Sequence, residues 1–225
     1  MIKVILFDVD NTLIDFDKCA HESMLASAKE ACLSLPDNIF EVFTKINTGL
    51  WHDIEKGKLT RNELLKIRWN TIFGAIGVDY DGEAFEELFK KYLWESAVHV
   101  DGAKELLDYL DGRYIMCVAS NAVYDQQRNR LTNAGFFDYM KYLFISEDIG
   151  FPKPSKEFFT ACHERLSDYK KDEIIMIGDS LSADINGAHD YGFVTCWFNF
   201  RKEAVPEDLC ADYTVNSLKE IQKIL

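Results

Sequence analysis

"VILFDVDNTLID", residues 4–15, sets four apolar residues directly before Asp8 and Asp10. A short apolar run bounded by turn-forming residues reads as a buried strand. Acids at the end of such a strand face mutual repulsion and loss of hydration. A strand running into a solvated turn explains one such run, so the rest of the chain has to say whether the arrangement recurs.

It recurs in an ordered way. After Val100, strand patterns alternate with helical ones: "YIMCVAS" (114–120), "YLFIS" (142–146), "EIIMIGD" (173–179), "VTCWFN" (194–199) and a short edge candidate "DYTV" (212–215), with helices near 102–111, 123–134, 155–166, 182–191 and 217–225. Near-continuously apolar strands alternating with helices imply a parallel sheet covered on both faces. Residues 16–96 instead carry apolar residues at helical spacing in four segments, broken at Pro36 with Asp37, at 57–60 and at 77–82. Thr60 followed by Glu63 fits a capping box. The sequence therefore predicts a Rossmann-like, doubly wound α/β core from 1–15 and 97–225, with an all-helical domain, 16–96, inserted after the first strand.

Composition narrows the function. The 225 residues carry 25 Lys and Arg against 38 Asp and Glu, a net charge of −13, which argues against a nucleic acid polymer or an anionic membrane as partner. The apolar runs are of strand length, far short of the ~20 residues of a membrane span. A strand beginning within three residues of Met1 leaves no room for a charged and then apolar leader, so the expected location is cytoplasmic. Six scattered cysteines form no CxxC or CxxH pair, and five histidines show no HExxH or HxH spacing. Cys117 and Cys196, inside apolar runs, read as buried free thiols.

Ligands of open parallel sheets bind beyond the carboxyl ends of the strands, where the strand order reverses. The first strand ends in Asp8 and Asp10, the second in Ser120 and Asn121, and "IIMIGDSLSAD" ends in Asp179 with Asp184 five residues on; "GFPKPSKEFF" between them offers Lys153. Singly, Asp179 reads as a helix cap, Ser120 as a turn former and Lys153 as a solvated charge. Together they form a pattern: clustered carboxylates favour a hard divalent cation such as Mg²⁺, which commonly uses one or two carboxylates plus phosphate oxygens. Lys153 can cancel remaining charge and hold a phosphoryl oxygen, Ser120 can donate to another, and the turn after Asp8 supplies backbone N–H groups. A carboxylate so stabilised is able to attack phosphorus.

DxDxT, a strand-end Ser, a Lys in a KP loop and GDxxxxD, in this order over the whole chain, resemble the haloacid dehalogenase superfamily of aspartate-dependent phosphohydrolases, whose helical cap the inserted block matches. The resemblance implies Asp8 as nucleophile, Asp10 as general acid and base, and Ser120 and Lys153 as phosphate-binding residues, with Asn121 beside them. It also implies Mg²⁺ held by Asp8, the backbone carbonyl of Asp10 and Asp179, with Asp184 as the second acid of the last motif, and a cis peptide before Pro154. Asn11 stands where many members have Gly, and Asn tolerates the left-handed backbone such a turn needs. Asp10 favours phosphoester chemistry over carbon–halogen cleavage, and hydrolysis over a stored phospho-receiver signal. A phosphomutase uses the same two aspartates and stays open.

For substrate, "TCWFN" (195–199) followed by "ADYTVNSLKEI" (211–221), and "LWHDIEKGKLTRNELLKIRW" (50–69) with Trp51, Gly57 and Arg68, are similar to the branch of pyrimidine nucleotide 5′-nucleotidases. That branch implies a pyrimidine nucleoside monophosphate such as UMP, dUMP or dTMP. A nucleobase suits a flat aromatic face, so Trp51 or Trp69 is the expected platform, under a cap hinged near 15–17 and 96–100 that would exclude bulk water on closing. Aromatics at helical spacing also read as core. Phosphoglycolate and sugar phosphates stay open as substrates.

Overall fold

The computed structural model describes all of residues 1–225. The chain forms two compact units, Met1–Phe16 with Ala97–Leu225, and Asp17–Ser96. Helices α1 (Phe16–Glu30), α2 (Ile39–Glu55), α3 (Arg61–Ile76) and α4 (Gly82–Glu95) make up the second unit. The start of α3 is set by the expected capping box: Thr60 accepts from the Glu63 N–H while the Glu63 carboxylate accepts from the Thr60 N–H.

The apolar faces of α2, α3 and α4 meet in an aromatic core. Trp69 is fully buried, with ring centroids 4.4 Å from Phe85, 5.3 Å from Phe89 and 5.6 Å from both Phe43 and Phe73. Beside it Arg68 donates to Glu86 at 2.5 and 3.0 Å and to Asn47 at 3.0 Å, its guanidinium lying over the Phe89 ring. Burial pushes the Glu86 carboxyl up, against the opposing pull of Arg68. Trp69 is thus a packing residue and cannot serve as a base platform, which corrects one of the two expectations for the aromatics. Trp51, on α2, is half-buried.

In the first unit, β1 (Val4–Phe7), β2 (Ile115–Ser120), β3 (Met140–Ile145), β4 (Ile174–Gly178), β5 (Val194–Phe198) and β6 (Tyr213–Val215) form one parallel sheet in the order β3-β2-β1-β4-β5-β6. β1 is flanked on both sides, Phe7 lying opposite Val118 and Ile177, which is why all four of its residues are buried and apolar. The helices are α5 (Ala103–Leu110), α6 (Tyr124–Asn133), α7 (Ser146–Ile149), α8 (Lys156–Arg165), α9 (Gly187–Tyr191) and α10 (Leu218–Ile221). Val4, Leu6, Cys117, Ala119, Ile174 and Met176 pack with Phe158, Phe159 and Cys162 of α8 in one core, and strand alternation turns the intervening residues to the opposite face. Cys117 and Cys196 are buried free thiols, each pushed up to about 12 by that burial.

The expected helix over 182–191 departs from the pattern. Leu181–Asn186 is a π turn, and only Gly187–Tyr191 is α-helical. Ser180 caps the Ala183 N–H at 3.1 Å, while Asp184 turns back so that its Oδ2 accepts from the Ser180 N–H at 3.1 Å. Such turns recur where a functional side chain is re-aimed. The returning carboxylate lies against the end of β4, where a Cβ on Gly178 would come within 2.1 Å of Asp184 Oδ2. Glycine is therefore required at 178 for a close approach. The last helix is also shorter than the expected 217–225, and the four-residue α7 is too short to carry a helical spacing.

Two outcomes are expected. Trp69→Ala should cost about 3–5 kcal/mol of the helical unit's stability, measured by chemical denaturation. Gly178→Ala should cost about 1–3 kcal/mol by overpacking and lower the thermal midpoint, with Asp184 displaced in the variant's crystal structure.

Candidate active site

The carboxyl ends of the three adjacent strands β2, β1 and β4 carry the site, and Lys153 ties them together. It is 1% exposed, and its Nζ donates to Asp8 Oδ1 at 2.8 Å, Asp184 Oδ1 at 2.6 Å and the Ala119 carbonyl at 2.6 Å. An ammonium has three N–H groups, and all three are satisfied. Burial alone would favour the neutral amine, but Asp184 and Asp8 outweigh it and hold the Lys153 pKa above its usual value.

Lys153 enters the site on the loop between α7 and α8, and the Lys153–Pro154 peptide is cis, as the resemblance implied. Asn121 fixes that loop: its Nδ2 donates to the Lys153 carbonyl at 2.9 Å and its Oδ1 accepts from the Lys153 N–H at 2.8 Å.

Asp8 follows β1, its backbone N–H donating to the Ile177 carbonyl at 2.9 Å. One of its oxygens is held by Lys153; the other, Oδ2, is buried without a hydrogen-bond partner. Burial raises the Asp8 carboxyl to about 7; Lys153 opposes the rise, and the nearby Asp184 and Asp10 add to it. Asp179, at the end of β4, is likewise pushed well up by burial and by Asp8 and Asp184, although Arg201 approaches its Oδ2 at 3.5 Å. The Asp179 carbonyl accepts from the Trp197 indole at 2.9 Å, which fixes its backbone.

Asp8, Asp179 and Asp184 each offer an oxygen within 4.8 Å of the others. Three carboxylates against the single buried ammonium leave an excess of negative charge. An all-oxygen donor set of this kind fits a hard divalent cation.

The turn after Asp8 places Asp10 apart from that cluster. Asn11 takes the left-handed φ of 62°, and the Val9 carbonyl accepts from the Thr12, Leu13 and Ile14 N–H groups at 3.2, 2.9 and 2.9 Å. The Asp10 carboxylate lies against α6: Arg130 Nη1 donates to Oδ1 at 2.5 Å and Gln127 Nε2 to Oδ2 at 3.1 Å. Ser120 Oγ also accepts from Gln127 Nε2 at 3.1 Å. The side chain of Asp10 is therefore not one of the grouped acids, and only its backbone carbonyl remains for the ligand role that the resemblance assigned to it.

The structure thus gathers Asp8, Asp10, Ser120, Asn121, Lys153, Asp179 and Asp184, seven of the residues singled out from sequence, at one end of the sheet. Trp51 belongs to the helical unit. Gln127, Arg130, Arg201 and Gly178 were missed. The i, i+3, i+4 face of Gln127, Arg130 and Leu131 was the available signal, masked because two of the three are polar.

Residues 2–192 match the haloacid dehalogenase-like hydrolase family. The chain is similar to YfnB of Bacillus subtilis, 34% identical over 99% of this chain and 95% of that one. The magnesium-bound crystal structure of YfnB superposes with a TM-score of 0.94 at 32% identity, over 100% of this chain and 98% of the other. Pyrimidine 5′-nucleotidase PynA of Streptococcus pneumoniae is 32% identical over 88% of this chain and 84% of its own. Pyrimidine 5′-nucleotidase YjjG of Escherichia coli is 29% identical over 98% and 96%. A glyceraldehyde 3-phosphate phosphatase of Pyrococcus furiosus is 27% identical over 100% and 93%. With its acids at the ends of β1 and β4, its buried lysine and a family match that spans most of its length, the chain belongs to the haloacid dehalogenase-like hydrolases.

Proposed function

We propose that the protein is a Mg²⁺-dependent phosphomonoester hydrolase that works through an aspartyl phosphate on Asp8 and acts on pyrimidine nucleoside 5′-monophosphates. The observation that carries the phosphatase reading is the asymmetry of Asp8, with one oxygen anchored by Lys153 and the other buried and unpartnered. An oxygen with no hydrogen-bond partner, on a carboxylate held through its other oxygen by Lys153, suits nucleophilic attack.

Asp8, Asp179 and the Asp10 carbonyl would hold Mg²⁺, with Asp184 behind them, and the magnesium-bound relative supports that choice of ion. When bound, the ion supplies charge neutralisation and a hold on a phosphoryl oxygen. Asp8 Oδ2 attacks phosphorus as the ester bond breaks, and Asp10 gives its proton to the leaving oxygen. Asp10 then takes a proton from the water that attacks the aspartyl phosphate, returning the Asp8 carboxylate and releasing inorganic phosphate. Ser120 donates its hydroxyl proton to a phosphoryl oxygen. Lys153, its three N–H groups engaged, chiefly stabilises Asp8, and contact with phosphate requires exchanging one of them. Asn121 acts by fixing the lysine loop.

Similarity to two pyrimidine 5′-nucleotidases supports the substrate class. Base recognition is assigned to Trp51 of the helical unit, whose half-buried indole offers a flat apolar face at little entropic cost. The glyceraldehyde 3-phosphate phosphatase relative favours a second reading, a small phosphorylated sugar as substrate.

Asp8→Asn should abolish turnover of p-nitrophenyl phosphate with Mg²⁺ while leaving the circular dichroism spectrum and thermal midpoint near wild type. More than trace activity in uncontaminated variant protein defeats the nucleophile assignment. For the substrate, kcat/KM for dUMP or dTMP should exceed that for phosphoglycolate and glucose 6-phosphate. Trp51→Ala should lower the nucleotide value by about 5- to 150-fold, the equivalent of roughly 1–3 kcal/mol of base stacking. Preference for a sugar phosphate or phosphoglycolate by about tenfold, one decade in kcat/KM, leaves only the phosphatase assignment standing.

A further inference from the structure

The polar groups that α6 buries are unusual for a packing face. Gln127 is 0% exposed and Arg130 2%, on a helix whose sequence, "YDQQRNRLTN", would otherwise lie on the surface. Burying a guanidinium beside a carboxylate stabilises a fold no better than well-packed apolar side chains of similar volume. Packing alone therefore does not account for them, whereas their contacts form a directed chain.

Arg130 can only donate, so its Nη1 fixes the amide of Gln127 by donating to Oε1 at 3.4 Å, in addition to holding Asp10 Oδ1 at 2.5 Å. That orientation turns the Gln127 NH₂ group toward its two acceptors, Asp10 Oδ2 and Ser120 Oγ, each at 3.1 Å. Because Ser120 accepts this bond, its own proton is released for a ligand oxygen. Both oxygens of Asp10 are located, one by each residue of α6, and each retains a second lone pair for a proton in transit.

We infer that Arg130 and Gln127 are positioning residues. They hold the proton-transferring Asp10 and the phosphate-facing Ser120 in one fixed frame, so that proton donation is aligned with the phosphoryl group Ser120 holds. The inference rests on the aspartyl-phosphate reading. The residues act through Asp10 and Ser120, and the contribution at stake is the alignment of a general acid, an effect commonly worth about 10²- to 10⁴-fold in rate when the acid is lost altogether.

The test compares two leaving groups. Nitrophenolate departs from p-nitrophenyl phosphate without needing a proton, whereas the sugar oxygen of dUMP needs one. Arg130→Met should lower kcat/KM for dUMP by roughly 10- to 100-fold, part of the full acid contribution, and that for p-nitrophenyl phosphate at least tenfold less. Arg130→Lys, which keeps a cation, should recover part of the dUMP rate, and Gln127→Leu should shift the ratio in the same direction. In an Asp10→Asn background Arg130→Met should cost less than about threefold, since residues acting as one unit are not additive.

Equal losses on both substrates, or an unchanged ratio, overturn the inference; a merely structural arginine would lower both alike by lowering the active fraction. If Arg130→Met does not fold, Arg130→Lys and Gln127→Leu are judged by the same ratio. If wild type turns over p-nitrophenyl phosphate but not dUMP, phosphoglycolate replaces dUMP, and the substrate reading fails separately. A wild-type protein inactive on all three defeats the phosphatase reading and this inference together.

Discussion

The ammonium of Lys153 makes the acidic end of the sheet possible. Asp8, Asp179 and Asp184 lie close enough to repel one another, and all three are largely or wholly removed from water. With two carboxylates and the Ala119 carbonyl of β2 around one buried cation, desolvation that would otherwise expel each group is offset by the others. Much of the local architecture serves that contact. Asn121 pins the lysine backbone, the π turn brings Asp184 back, and Gly178 leaves the space into which it returns.

That arrangement still leaves the acids undercompensated. A site built only for stability would pair every carboxylate or replace it with an apolar residue. Here Asp8 and Asp179 are held with raised carboxyl pKa values, and one oxygen of Asp8 lacks any partner. A chain of net charge −13 nonetheless places two buried cations, Lys153 and Arg130, at one end of its sheet. Both are outnumbered there by Asp8, Asp10, Asp179 and Asp184, so an anionic ligand meets compensating positive charge at the site only when a divalent cation is bound.

The two units divide along the same physical lines. The sheet unit contains polar groups fixed by neighbours on adjacent strands, with little freedom to vary. The helical unit has an aromatic core around Trp69 and one buried ion pair, Arg68 with Glu86, that joins α3 to α4. Such a core requires only apolar volume and helical spacing, so its surface can change without disturbing the packing.

The sequence by itself determined the alternation of strands and helices, the inserted helical block, the Thr60–Glu63 capping box and the order of the strand-end acids, because each is written in local periodicity or spacing. Only the tertiary structure decided which aromatics were core: Trp51 and Trp69 share the same helical spacing, yet Trp69 is enclosed by four Phe rings contributed by three helices. Gln127 and Arg130 were illegible for a related reason. Residue type signals exposure, and what buries these two is a pairing with Asp10, 117 and 120 positions away along the chain. The return of Asp184 onto Gly178 was hidden as well, since a π turn has no hydrophobic period to betray it and is set by hydrogen bonds to Lys153 and to the Ser180 backbone. A buried polar group is stabilised by partners that folding brings together, and local sequence carries no record of that distance.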